Sequence, residues 1–503
     1  MYRTMVCLTY LLLATLIPHQ GGAETPAETS WPKRVLGHGA DGVPFVDNRV
    51  CQSCHAQAFE DWQGSHHDQA MQPATEATVL GDFRNAEFTY QGVTTRFFTK
   101  AGKFLVHTAG PDGRMTDFEV QYTFGVDPLQ QYLIPFPGGR LQSLSIAWDV
   151  HQQRWFHLYP DENTKPGDAL HWTGLYQSWN IMCAECHSTN LNKHYDPSTQ
   201  TYQTTWSEIN VSCQACHGPG GRHVEWANRE AAKTSPQDQP QNAPLKGLVV
   251  DFAALDGPGQ VAQCARCHSR RRRVSVTDQH GRALLDDFVP ERLGTGLYHA
   301  DGQILDEVYV YGSYVQSKMY HAGVRCTDCH QPHTLKLRAE GTALCVQCHQ
   351  SQPDNRFSTL AAKAYDTPDH HFHPIGSTGA QCVNCHMPAK TYMRIDPRRD
   401  HKLPGSPARP LRHPRHARRL HRMSSGQNPK LGGEYHRPMV WPSTRPTLCR
   451  HPCHGPSRTT RGATPARSIG RQHRATGHRA GHRIGVATPI WLKRAPAHHR
   501  GDQ

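Results

Sequence analysis

Alternation of apolar and polar positions is strongest between about residues 86 and 160. FEVQYTF (Phe118–Phe124) places apolar side chains at 118, 120, 122 and 124, and LSIAWDV (Leu144–Val150) does so at 144, 146, 148 and 150. A period of two turns alternate residues to one side, as in a half-buried strand. TTRFFTKAGKFLVHT (Thr94–Thr108) reads as two strands around a Gly-containing turn. The pattern predicts a β-rich insertion over about 86–160. A different pattern opens the chain: Val6–Ile17 (VCLTYLLLATLI) is continuously apolar, with Arg3 before it and the small residues Gly21-Gly22-Ala23 after it. That layout predicts an export signal cleaved before Glu24. The run is shorter than the roughly 20 residues of a spanning helix, and no other run could span a bilayer.

From 183 to 386 both periodicities fade, and Cys, His, Gly and Pro dominate, so short helices between loops are expected. After about His401 the texture changes again, to a tail with 18 Arg, two Lys, 13 Pro and 11 Gly. The predicted organisation is therefore a signal over 1–23, a lead over 24–48, a main domain over 49–400 and a tail over 401–503. The net charge of +13 first suggests a binder of nucleic acid or membrane surface. Its location removes that reading: residues 403–503 carry +18, and residues 1–402 carry −5. The tail has neither helical nor strand periodicity and is expected to be disordered. Its wealth of Arg beside so little Lys or acid fits a shifted reading frame in a GC-rich gene better than a native basic tail.

One pentad, Cys-Xaa-Xaa-Cys-His, occurs seven times: Cys51–His55, Cys183–His187, Cys213–His217, Cys264–His268, Cys326–His330, Cys345–His349 and Cys382–His386. Fourteen of the 17 cysteines are used, where chance at this composition gives roughly 0.04 matches. A disulfide has no use for an adjacent histidine. A zinc site usually draws its histidines from another part of the loop. Covalent haem explains every position: two sulfurs bond the two vinyl groups on one porphyrin edge, and the next residue brings an imidazole to the iron. The expected cofactor is thus haem c, seven groups, attached at Cys51, Cys54, Cys183, Cys186, Cys213, Cys216, Cys264, Cys267, Cys326, Cys329, Cys345, Cys348, Cys382 and Cys385. The proximal iron ligands would be His55, His187, His217, His268, His330, His349 and His386. Spacings as short as 19 residues, from Cys326 to Cys345, would bring porphyrins close enough to exchange electrons. Cys449–His454 (CRHPCH) has three residues between its cysteines and is a weak eighth motif within the tail.

Seventeen further histidines before the tail are enough to supply every iron with a second imidazole. Those beside the pentads are the candidates: His66, His67, His223, His321, His333, His370, His371 and His373, with His299 weaker. His107, His151 and His157 read as strand residues, and Met182, Met319 and Met387 as packing. An iron with two strong protein ligands passes electrons, whereas an open iron can bind a small molecule and do chemistry.

CQSCHAQAFEDWQGSHH, CAECHSTN, CQACHGPGGRHVEWA, GVRCTDCHQPHT and CVNCHMPAKTYM resemble multihaem cytochromes c with a cytochrome c-552/c-554-type domain. That group is related to a tetrahaem electron carrier of nitrifying bacteria and to octahaem hydroxylamine-oxidoreductase-like proteins. The resemblance covers about residues 48–400. It implies an α+β fold, with short helices and loops wrapped around stacked bis-histidine haems. It also favours His67, His223, His321 and His333 as distal ligands; His371, ahead of the last pentad, is taken as a further one. No pentad ends in lysine, unlike the active haem of pentahaem nitrite reductases. Similar proteins often continue into TPR-type repeats, from which this chain departs after about 401. The expected role is a periplasmic heptahaem electron carrier between a quinol-linked donor and a terminal acceptor, without nucleic-acid binding or a membrane span after signal cleavage. The alternative is a multihaem oxidoreductase acting on a nitrogen or sulfur compound (nitrite, hydroxylamine or tetrathionate) at one open haem.

Overall fold

The computed structural model describes residues 32–231, 244–275 and 280–403. The expected export signal, the tail from 404 onward and the Cys449–His454 motif lie outside the described residues. Ten strands between Met71 and His157 form two antiparallel sheets. β1 (Met71–Pro73), β2 (Arg84–Tyr90), β3 (Val93–Lys100), β4 (Lys103–Ala109) and β5 (Met115–Glu119) are followed by β6 (Tyr122–Phe124), β7 (Leu129–Phe136), β8 (Arg140–Ser143), β9 (Ile146–Asp149) and β10 (Arg154–His157). One sheet is the meander β2-β3-β4-β5; the other runs β10-β9-β7-β6-β1, with β8 also paired to β7.

The hairpin expected at Thr94–Thr108 is β3–β4, turning on Ala101 and Gly102, both with positive φ. Such a turn matches the right-handed twist of paired strands. The Phe118–Phe124 stretch, by contrast, is two strands in two sheets. The Val120 N–H bonds the Phe104 carbonyl of the meander, and the next N–H, of Gln121, bonds the Leu133 carbonyl of the larger sheet. The chain crosses between sheets there, so the alternation continues although the strand does not.

Side chains of both sheets meet in one core that includes Phe97, Val106, Tyr132, Ile134, Phe136, Trp148 and Trp155. The Phe97 and Trp155 rings stack 3.5 Å apart. The larger sheet is covered on its second face too. Met71, Phe124, Leu133 and Leu141 pack there against Trp179, Ala184, Leu191 and Trp206. Two stretches expected to be half-buried are therefore covered on a second face as well: Phe124 by residues 179–206, and Ala147 by Met393 and Ile395.

Beyond the sheets the helices are short; Gly221–Ala231 is an example at 11 residues. The apolar cluster of this part is small, built on Ala265, Leu284 and Phe288. The lead segment is docked: Lys33–Arg34 pairs in parallel with Thr205–Trp206, and Arg34 bonds Glu208 at 2.7 Å. No helix among the described residues is long and apolar enough to cross a membrane.

Ile134→Ala empties a fully buried site between the sheets. It should cost about 2–5 kcal/mol, while Met115→Ala on the exposed surface should stay within about 0.5 kcal/mol. Denaturant midpoints of the two variants, compared with the parent chain, check this.

Candidate haem-binding site

Each pentad is one helical turn. The histidine N–H bonds the carbonyl of the first cysteine in the pentads at 51, 183, 264, 326 and 345, at 2.9–3.2 Å. Cys213–His217 and Cys382–His386 are themselves helices. Residues three and four apart share a helix face, so this turn presents two thiols and one imidazole on one side. None of the fourteen pentad cysteines is paired in a disulfide. Zinc needs about four converging donors, and among the described residues no group of three or more His, Cys, Asp or Glu side chains is arranged to hold a metal ion.

The imidazoles test the fit to haem iron directly. Two imidazoles that bind one metal at about 2.0 Å each stand with ring centres about 6.3 Å apart. Among the described residues four pairs of imidazole rings have this separation: His55–His223 at 6.0 Å, His67–His268 at 6.2 Å, His330–His401 at 6.4 Å and His370–His386 at 6.3 Å. In each pair one ring belongs to a pentad. Nδ1 of His223 lies 2.9 Å from the Lys246 carbonyl, and Nδ1 of His401 lies 3.0 Å from the Arg399 carbonyl. Such a bond holds the proton on Nδ1 and leaves Nε2 to bind metal. Burial pushes His67 and His217 down to about 4, and it also lowers His187, His268, His330 and His401. These rings are neutral at neutral pH, the form that binds a metal.

The other predicted ligands are placed as follows. His333 is, after burial, the largest influence lowering His217. His321 ends the helix Lys318–His321 with its ring against Tyr320. His371 turns Nε2 toward the Asp366 carboxylate at 3.7 Å, and it is His370 that faces His386. His349 and His370 both lie edge-on to Tyr365. Sequence reasoning passed over His401, because it stands where the tail composition begins. Two strand histidines are engaged in the insertion: Nδ1 of His107 lies 2.6 Å from Asp117, and His157 stacks on Tyr90.

His187 sits against the sheet. Its Nδ1 is 3.3 Å from the Ala70 carbonyl and its ring is edge-on to Phe124. Among the described residues its ring neighbour is this phenylalanine rather than an imidazole. Tyr159 and Tyr309 lie within electrostatic range of both the Cys183 thiol and Glu307.

Thiols also reveal which pentads are neighbours. The Cys51 and Cys213 thiols lie within hydrogen-bonding range of each other, as do Cys186 and Cys267, Cys264 and Cys326, and Cys345 and Cys382. The Cys216 thiol acts on Cys264 and Cys267, and Cys348 acts on Cys329. The pentads therefore form a series in the order first, third, fourth, fifth, sixth, seventh. The second joins this series as a branch at the fourth.

Repeated attachment turns and paired imidazoles define a class: the chain is a multihaem c-type cytochrome. The family model for cytochrome c554 and c-prime matches residues 50–92 and 147–218, and the doubled CXXCH motif matches 320–354. No curated protein matches the chain. Among solved structures it is similar to the outer cell wall cytochrome OcwA, at 18% identity and a TM-score of 0.45, covering 71% of this chain and 79% of that one. An undecahaem cytochrome from the S-layer of Carboxydothermus ferrireducens gives 18% identity and a TM-score of 0.35, covering 72% of this chain and 53% of that one. The octahaem sulfite reductase MccA of Wolinella succinogenes gives 16% and 0.31, covering 75% and 62%.

His223→Ala should turn one low-spin haem high-spin, seen in the low-temperature EPR spectrum of the oxidised protein. His370→Ala should do the same at another haem, and His371→Ala should leave the low-spin count unchanged.

Proposed function

We propose that the chain is an exported, periplasmic heptahaem electron carrier linking a quinol-linked donor to a terminal acceptor. The observation that carries this reading is the unbroken series of neighbouring pentads from the first to the seventh. Electron tunnelling falls steeply with distance, so a series of adjacent porphyrins conducts where isolated ones do not. The haems supply one-electron chemistry. The protein supplies two imidazoles to an iron in each of the four pairs and holds the attachment turns together. Neither nucleic acid nor a membrane span enters the reading.

A second reading, an oxidoreductase acting on nitrite, hydroxylamine or tetrathionate, is favoured by one place, the second pentad. There His187 has the Phe124 ring as its ring neighbour, and Tyr159 and Tyr309 lie within electrostatic range of the attachment cysteines. Such hydroxyls could donate protons to a small molecule bound at an open iron.

Intact mass of the protein matured in a host that assembles haem c should show seven haems per chain and the N-terminus at Glu24. If nitrite, hydroxylamine and tetrathionate each leave the EPR and optical spectra unchanged, the carrier reading holds. A high-spin signal that shifts with one of them replaces it with the oxidoreductase.

A further inference from the structure

Glu185 is one of the two variable residues of the second pentad, and its carboxylate is clamped from both sides. Oε2 accepts from Arg271 Nη1 at 2.8 Å and Oε1 from Arg273 Nη1 at 2.9 Å. Both arginines follow directly on the fourth pentad, which ends at His268. Arg271 also lies over the Phe288 ring at 3.9 Å and approaches Cys186 Sγ at 3.8 Å. Beside it, Arg266 within the fourth pentad pairs with Asp287 at 3.3 Å. Side-chain exposure is 6% for Arg271, 14% for Arg273, 18% for Glu185, 6% for Arg266 and 0% for Asp287. Three guanidinium groups and two carboxylates are thus withdrawn from water where the second and fourth pentads touch. Charges in such a place act on their neighbours far more strongly than exposed ones.

Glu185 could have been any residue as far as attachment is concerned, and a buried ion pair is a weak source of stability. Its placement at two attachment edges points to the irons. A fixed positive charge favours the state of a nearby iron with fewer positive charges, the reduced one, and a negative charge disfavours it.

We propose that the Arg271–Glu185–Arg273 clamp sets the reduction potentials of the irons ligated by His187 and His268. Its arginines hold those potentials up, so that electrons collect where the branch leaves the series. Each transfer is one electron, accepted by a ferric iron and passed on by a ferrous one. These are tuning residues that touch no substrate. The proposal rests on haem being present at both pentads.

The test is a potentiometric titration followed by EPR, with the haem content of each variant measured. The His268 signal is identified as the one that His67→Ala alters. Arg271→Gln should lower this potential, and Glu185→Gln should raise it. A tenfold change in the oxidised-to-reduced ratio at fixed potential would be a shift of about 59 mV for a one-electron couple. Arg273→Lys keeps the charge and should lie near the parent value. A clamp that only holds chain segments together would loosen in both Gln variants and would not shift them in opposite directions. Unmoved potentials, or shifts of one sign, overturn the proposal. If Arg271→Gln fails to assemble, Glu185→Gln and Arg273→Lys decide it. Missing haem at the second or fourth pentad of the parent protein would instead overturn the electron-carrier reading on which the proposal rests.

Discussion

Two imidazoles held about 6 Å apart on separate stretches of chain are the constraint around which much of this protein is arranged. His55 with His223, His67 with His268, and His330 with His401 are each far apart in sequence. A metal bound by both partners closes a long loop, and its binding energy becomes folding energy. That matters most after residue 206, where the apolar cluster around Phe288 is small. Segments there meet through pentad turns and ring pairs rather than through a packed sheet.

The two-sheet insertion supplies what the pentads lack. β7 is buried on both faces, and its second face is a wall built before any cofactor is considered. Trp179, fully buried just ahead of Cys183, and Ala184 inside the second pentad are packed into that wall. Arg271 and Arg273 then tie the same pentad to the fourth through well-shielded ion pairs. Farther along the series the ties are looser. Arg356, which reaches both Asp328 and Asp354, is half exposed, and pairs of that kind contribute little. Apolar packing of Trp179 and Ala184 thus fixes the second pentad, and the far end of the series depends more on ligation.

What could be read from the sequence follows the range of the interaction. A pentad is a local object: Cys183, Cys186 and His187 lie within one helical turn, so spacing reveals them at once. The hairpin at Thr94–Thr108 is local too, set by alternation and a two-residue turn. The partner of an imidazole is not local. Nothing near His401 or His370 in the sequence distinguishes it from its neighbours, and only the fold shows which ring faces which pentad. The same limit hid the sheet crossing at Val120–Gln121, where apolar alternation runs on unbroken because both sheets share one core. The clamp is not local either: Arg270–Arg273 are four consecutive arginines, and only the fold buries Arg271 and Arg273 on Glu185.

Tyr309 gives a reason to separate the branch from the rest of the series. Its φ of +59° places a bulky aromatic in the left-handed region, a conformation that persists only when the surroundings impose it. The surroundings are visible. Ser269, next to the fourth pentad, pairs with Tyr309 in a β-bridge. Glu307 is held through its carboxylate by Arg398 and through its carbonyl by Arg270. The hairpin that carries Arg398, Ala389–Tyr392 with Asp396–Arg399, also places Met393 and Ile395 on the outer face of the larger sheet, against Leu129 and Phe156. Three remote segments therefore cooperate to hold one tyrosine within electrostatic range of the Cys183 and Cys186 thiols. A conducting series needs only adjacency and matched potentials. The strained backbone at Tyr309 is therefore held by contacts that adjacency of the pentads does not itself require.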